Sequence, residues 1–150
     1  MNRGSMNRGS LESTVDDRPR VVLADDNPAI LDIAAKLLQK DFRIVGLLGQ
    51  ASAVMTEVSR VNPDVLILDI SMPEMNGFEV TRQLRKDKCL SKIIFLTVHE
   101  ELQFIRAAFD AGASGYVFKS RMPIVVSAVG IGIETDYPRR LPAVFLIEKQ

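Results

Sequence analysis

Val65-Leu66-Ile67-Leu68-Asp69 is an apolar run of four residues closed by a single carboxylate. A short run with no polar interruption is what a strand buried on both faces requires, and burial on both faces marks a parallel sheet. The same design recurs three times: Val21-Val22-Leu23-Ala24 ends on Asp25-Asp26, Ile93-Ile94-Phe95-Leu96 on Thr97, and Tyr116-Val117-Phe118 on Lys119. In an open parallel α/β sheet, binding and chemistry collect beyond the carboxyl ends of the strands. Three carboxylates, a hydroxyl and an ammonium are therefore expected on one rim.

Between these runs the spacing turns helical. Asn27 can cap and Pro28 fits a first turn, and Ile30, Ile33, Ala34, Leu37 and Leu38 then share one face, so a helix is expected over 28–39. A second strand is expected near 42–48 and a helix near 51–61, stopped by Asn62-Pro63. After the strand at 64–68, the loop Ser71-Met72-Pro73-Glu74-Met75-Asn76-Gly77 leads into a helix ending near 86. A strand at 92–96, a helix at 100–110 closed by Gly112 and a strand at 115–118 complete the alternation. Residues 123–133 carry an apolar pattern interrupted by Gly130 and Gly132, which predicts a short or frayed fifth helix. Strands alternating with helices imply right-handed crossovers and a sheet covered on both faces. The fold class is α/β, a flavodoxin-like doubly wound sheet of five parallel strands in the order 2-1-3-4-5. That order makes the first and third strands neighbours, and so brings Asp25, Asp26 and Asp69 together with Thr97 and Lys119 beside them.

The bulk numbers fit one domain. The chain has 150 residues, 47% of them hydrophobic and 25% charged, and its 19 basic and 19 acidic residues leave no net charge. Such a balance offers no global attraction to nucleic acid or to a membrane, and no apolar stretch approaches the roughly 18 residues of a membrane span. The single cysteine, Cys89, permits no intrachain disulfide and fits a reducing, cytoplasmic setting. Met1-Asn2-Arg3-Gly4-Ser5 repeats at once as residues 6–10, which reads as a cloning remnant or a duplicated start. Residues 1–19 are expected to be disordered, 20–134 to form the domain, and 135–150 to be a tail or linker remnant.

Three neighbouring carboxylates need a cation. At an effective dielectric near 20, two unit charges ~4 Å apart repel by about 4 kcal/mol. An all-oxygen ligand set suits Mg²⁺ or Mn²⁺ better than zinc, and His99 and Cys89 are each solitary. A carboxylate beside a divalent ion, with a lysine across the pocket, can attack phosphorus and form an aspartyl phosphate. Asp69 is the nucleophile candidate because it ends the strand expected at the centre. Asp25 and Asp26 suit metal holding, and a backbone carbonyl near Ser71 is expected to face the ion. Taken singly, each residue has an ordinary reading: Asp25-Asp26-Asn27 as helix capping, Asp69 as a turn residue, Thr97 as strand chemistry, Lys119 as a solvated strand end. Taken together, they fall on the rim that one topology predicts.

Asp25-Asp26, Leu68-Asp69, Met72-Pro73-Glu74-Met75-Asn76-Gly77, Leu96-Thr97 and Gly115-Tyr116-Val117-Phe118-Lys119 together resemble the receiver domain of bacterial two-component response regulators, over about residues 20–134. Leu96-Thr97-Val98-His99-Glu100 and Lys119-Ser120-Arg121 resemble its NarL/FixJ subfamily. The resemblance implies that Asp69 accepts a phosphoryl group from the phosphohistidine of a histidine kinase. It implies Mg²⁺ held by the Asp26 and Asp69 side chains and the Ser71 backbone carbonyl, with Asp25 acting through water. It implies that Lys119 contacts the phosphoryl group, and that Thr97 and Tyr116 form a switch in which Tyr116 turns inward. The fourth helix, fifth strand and fifth helix would be the output face. The implied partners are a sensor kinase and a second copy of the chain, with DNA reached only through a separate effector domain and no membrane contact.

Ser120 stands where many receivers have proline, so no cis X–Pro bond orders that loop. The glycines near 130 and the Pro138–Gln150 tail also depart from the usual fifth helix and linker. His99 is read as a partly exposed loop residue that modulates access of water, and Met72 and Met75 as packing residues. Two other functions compete with the signalling switch. A phosphohydrolase of the haloacid-dehalogenase type would want a second acid two residues after the nucleophile, where this chain has Ser71. A phosphate-independent pseudo-receiver would have little use for the acids, Thr97 and Lys119 together.

Overall fold

The computed structural model describes residues 15–120. The expected fifth helix, the tail and the duplicated start lie outside the described residues. Nine elements follow in order: β1 (Arg20–Ala24), α1 (Pro28–Leu38), β2 (Arg43–Leu48), α2 (Ala51–Val61), β3 (Val65–Leu68), α3 (Gly77–Lys86), β4 (Lys92–Thr97), α4 (Leu102–Ala111) and β5 (Gly115–Phe118). The five strands form one parallel sheet ordered β2-β1-β3-β4-β5, the flavodoxin-like order expected. Pro19 is tied to the sheet ahead of residue 20, because its carbonyl accepts from Arg43 N at 2.8 Å.

The apolar runs are buried as both-face burial demands. Every residue of β3 is buried, and Ile93 to Thr97 of β4 likewise. Edge strand β2 is only half-buried, which its Gly46 and mixed pattern fit. Two layers of core result from the alternation of side chains along each strand. Val22, Leu66, Leu68, Ile93, Phe95 and Tyr116 pack under α2, α3 and α4. Val21, Leu23, Val65, Ile67, Ile94, Leu96 and Val117 share the other face with Ala34 and Leu38 of α1.

Local chemistry sets the helix ends. Asn27 Oδ1 accepts from Ala29 N at 3.0 Å and Pro28 opens α1, so the capping role beside the acidic pair belongs to Asn27. Asn76 and Glu79 form a capping box at the start of α3, with bonds of 2.9 and 3.3 Å. Gly112, at φ 114°, closes α4 as its position predicts. The start of α4 falls at Leu102 rather than 100, and Glu101 caps it without a side-chain bond. Among the described residues no helix is long and apolar enough to cross a membrane.

Candidate functional site

β1 and β3 lie side by side in register, Ala24 beside Leu68, so the residues that follow them emerge together. Asp69 N donates to the Ala24 carbonyl at 3.0 Å and carries the pairing one residue past the strand. Asp25 and Asp69 are buried at 3% and 5% exposure, while Asp26 is exposed. One carboxylate oxygen from each of the three lies within 4.8 Å of the others. The three acids expected on one rim are brought together.

Lys119 follows β5, two strands away from β3, and its side chain spans that distance. The ammonium is 2.7 Å from Asp25 Oδ2 and 3.1 Å from Asp69 Oδ2. Asp69 Oδ1 accepts from Ile70 N at 2.7 Å, and Asp25 Oδ1 from Asn27 N at 2.8 Å. Asp25 Oδ2 is buried, and the Lys119 ammonium is its counter-charge. Burial pushes the Asp25 carboxyl above its ordinary value; Lys119 and the Asn27 amide pull it down, and the Asp69 charge pushes it up again. Burial alone would lower the Lys119 ammonium, but Asp25 and Asp69 outweigh it and the group ends raised. A buried carboxylate that stays under-compensated beside an ammonium suits an additional cation. Three converging carboxylates against one ammonium form a hard oxygen donor set that fits a divalent ion such as Mg²⁺.

Thr97 is fully buried at the end of β4, and its Oγ1 accepts from His99 N at 3.4 Å. Tyr116 is also fully buried, standing inward, and its hydroxyl donates to the His99 carbonyl at 2.8 Å. Burial pushes the Tyr116 hydroxyl far above its usual value, and the charges of Glu101, Asp69 and Glu100 add to the rise. Ser71 turns its hydroxyl to His99 Nε2 at 3.2 Å. His99 is partly exposed, as read from the sequence, but its bond to Ser71 and its backbone links to Thr97 and Tyr116 had no signal there. Met72 is buried, and Met75 packs against the core, as expected of packing residues.

The loop after Asp69 depends on close backbone approach. A Cβ on Gly77 would stand 2.5 Å from the Asp69 carbonyl oxygen and 2.7 Å from the Phe95 ring. Gly77 N donates to the Ile70 carbonyl at 2.7 Å, which folds the loop back onto its strand. Glu74 holds a left-handed φ of 79°, and its carboxylate accepts from Ser52 N at the start of α2, where Gln50 provides no side-chain cap. A groove near 880 Å³ lies elsewhere, lined by Met55, Val58, Leu84, Cys89 and Leu90, and holds none of these groups.

The model of the response regulator receiver domain matches residues 21–128. The nitrate/nitrite response regulator protein NarP of Escherichia coli is 31% identical over 116 residues, covering 75% of this chain and 54% of NarP. The chain thus spans about half the length of the curated relatives it matches. A DNA-binding response regulator of the LuxR family from Staphylococcus aureus superimposes with a TM-score of 0.74 at 26% identity, covering 77% of this chain and 99% of that one. The isolated receiver domain of RcsB from Salmonella enterica, solved with a phosphomimetic beryllofluoride, gives 0.71 at 25% identity, over 77% of this chain and 88% of its own. Sheet order, the acidic rim and the matched family agree, and the chain belongs to the response regulator receiver domain family.

Proposed function

We propose that this chain is a phosphorylation-dependent signalling switch that accepts a phosphoryl group on Asp69 from a histidine kinase. The observation that carries this reading is the convergence of Asp25, Asp26 and Asp69 within 4.8 Å, with the Lys119 ammonium on two of them. An Asp69 carboxylate oxygen forms a bond to phosphorus as the bond from phosphorus to the histidine nitrogen breaks, and the electron pair leaves with the imidazole. Lys119 is placed to trade its carboxylate contacts for phosphoryl oxygens. Asp25, Asp26, Asp69 and the Ser71 carbonyl would hold Mg²⁺, or Mn²⁺. The chemistry left to a bound ion is neutralising charge on the transferring group.

Thr97 and Tyr116 are the switch in this reading. A new anion on Asp69 offers the Thr97 hydroxyl a stronger acceptor, and Tyr116 holds the inward packing through the His99 carbonyl. Ligand-biased populations of two packings are enough to carry a signal. The output would pass through α4, β5 and the fifth helix expected at 123–133. Relatives named as DNA-binding regulators support a role as the regulatory part of a cytoplasmic transcription factor, with DNA contact made by a separate domain.

Phosphoramidate, an N–P donor chemically close to phosphohistidine, tests this. With Mg²⁺ the chain is expected to gain one phosphoryl group that hydroxylamine removes, as an acyl phosphate requires. Steady turnover of a phosphomonoester would favour the phosphohydrolase instead. A folded chain that gains nothing would favour the pseudo-receiver.

A further inference from the structure

His99 is held from three directions. Its ring nitrogen Nε2 meets Ser71 Oγ at 3.2 Å, on the loop that follows Asp69. Its ring stacks on Phe104 of α4, with centroids 4.3 Å apart and planes 20° from parallel. Its carbonyl accepts from the Tyr116 hydroxyl at 2.8 Å. Glu101 is the carboxylate near the other ring nitrogen, at 4.0 Å.

Phe104 does not end the chain of rings. It stacks on Phe78, in the first turn of α3, at 6.3 Å and 23°. Phe78 meets Phe95 of β4 edge to face at 5.7 Å. Phe95 meets Tyr116 at 6.1 Å. Tyr116 then returns to His99 through its hydroxyl. Five residues from α3, β4, β5, α4 and the loop after β4 make a closed circuit, with His99 as the member that also touches the loop beside Asp69. Phe95 and Tyr116 are fully buried, so neither ring can shift without its neighbours.

We propose that His99 is a second coupling residue, which carries a change in the Asp69–Ser71 loop through the Phe104 stack to α4, in parallel with Thr97 and Tyr116. The proposal rests on the phosphoacceptor reading of Asp69. His99 touches no reacting atom and acts by position. When the Ser71 loop closes on an occupied pocket, the imidazole follows its hydrogen-bond partner, and the stacked Phe104 moves with it. A packed circuit of this kind has few intermediate arrangements, which is what coupling between two sites needs.

The experiment uses the full chain labelled with ¹⁵N, and beryllofluoride with Mg²⁺ as the phosphoryl mimic. In the wild type, amide resonances near Asp69 and Thr97 and along Leu102–Ala111 should shift on adding the mimic. In His99→Ala the shifts near Asp69 should persist, while those along α4 fall at least roughly twofold. Phe104→Leu keeps apolar bulk but removes the ring, and should reproduce the loss. The double variant should lose no more than either single one, because both break the same link. Full α4 shifts in both single variants, or additive losses in the double, overturn the coupling. A wild-type chain with no response near Asp69 overturns the phosphoacceptor reading itself, and the proposal with it.

Discussion

Lys119 crosses two strand positions to set its ammonium 2.7 Å from Asp25 Oδ2, although β5 and β1 are separated in the sheet by β3 and β4. The lysine passes Asp69 on the way, at 3.1 Å, and so serves as counter-charge to both buried acids. Removing one partner of a buried pair leaves an uncompensated charge. Lys119→Met should stay folded but lose about 2 kcal/mol of stability in the absence of divalent ions, a value below the usual range because the pocket is partly open. Mg²⁺ should then stabilise the variant more than the wild type, since it meets two unpaired carboxylates. Urea midpoints with and without Mg²⁺ measure this, and an equal gain in both proteins would contradict the account.

Asp26 is the exposed member of the acidic trio, so its removal disturbs little packing. Asp26→Ala should weaken Mg²⁺ binding by about tenfold or more, on the order of 1.4 kcal/mol. A magnesium titration that matches the wild type would remove Asp26 from the ligand set.

Gly77 is required by space rather than by backbone angle. A methyl group there collides with the Asp69 carbonyl and the Phe95 ring at once. Gly77→Ala should cost about 2 kcal/mol or more, at the upper part of the range for overpacked sites, because one of the obstacles is backbone. It should also displace the loop behind Asp69. Thermal unfolding reads the first effect; wild-type stability would mean that the loop yields freely.

Tyr116 predicts an alkaline limb. Its folded-state hydroxyl is raised above the ordinary 10.0, so the folded chain holds a proton that the unfolded chain releases. Stability from this group is complete below pH 10.0 and is lost as pH rises toward the folded value. Tyr116→Phe should flatten that fall relative to the wild type, and should cost about 1 kcal/mol at neutral pH for the lost bond to the His99 carbonyl. Parallel stability curves above pH 10 would contradict the buried, hydrogen-bonded hydroxyl.

Much of this was legible in the residues themselves. Apolar runs too short for buried helices marked the strands, and the polar residue closing each run marked the rim. Asn27, Asn62-Pro63 and Gly112 announced helix ends through cap and turn chemistry. Other features had no sequence signal. Asp25 and Asp26 are identical neighbours, and only the fold decides which one turns inward to Lys119. The left-handed φ of Glu74 and the reach of its carboxylate to Ser52 N are not visible as a pattern. The His99 contacts join three separate elements, and no periodicity encodes them. α4 starts at Leu102 rather than near 100, and Glu101 caps it without a side-chain bond that a sequence pattern could announce.

The most direct test asks whether these distant strand ends make one cation-dependent acceptor. Intact mass is measured after incubation with acetyl phosphate, with Mg²⁺ and with a chelator, for the wild type and Asp69→Asn. The account predicts one phosphoryl group per wild-type chain in Mg²⁺, and none with the chelator or in the variant. A folded wild-type chain without that gain, or a gain that survives loss of the Asp69 carboxylate, would contradict it.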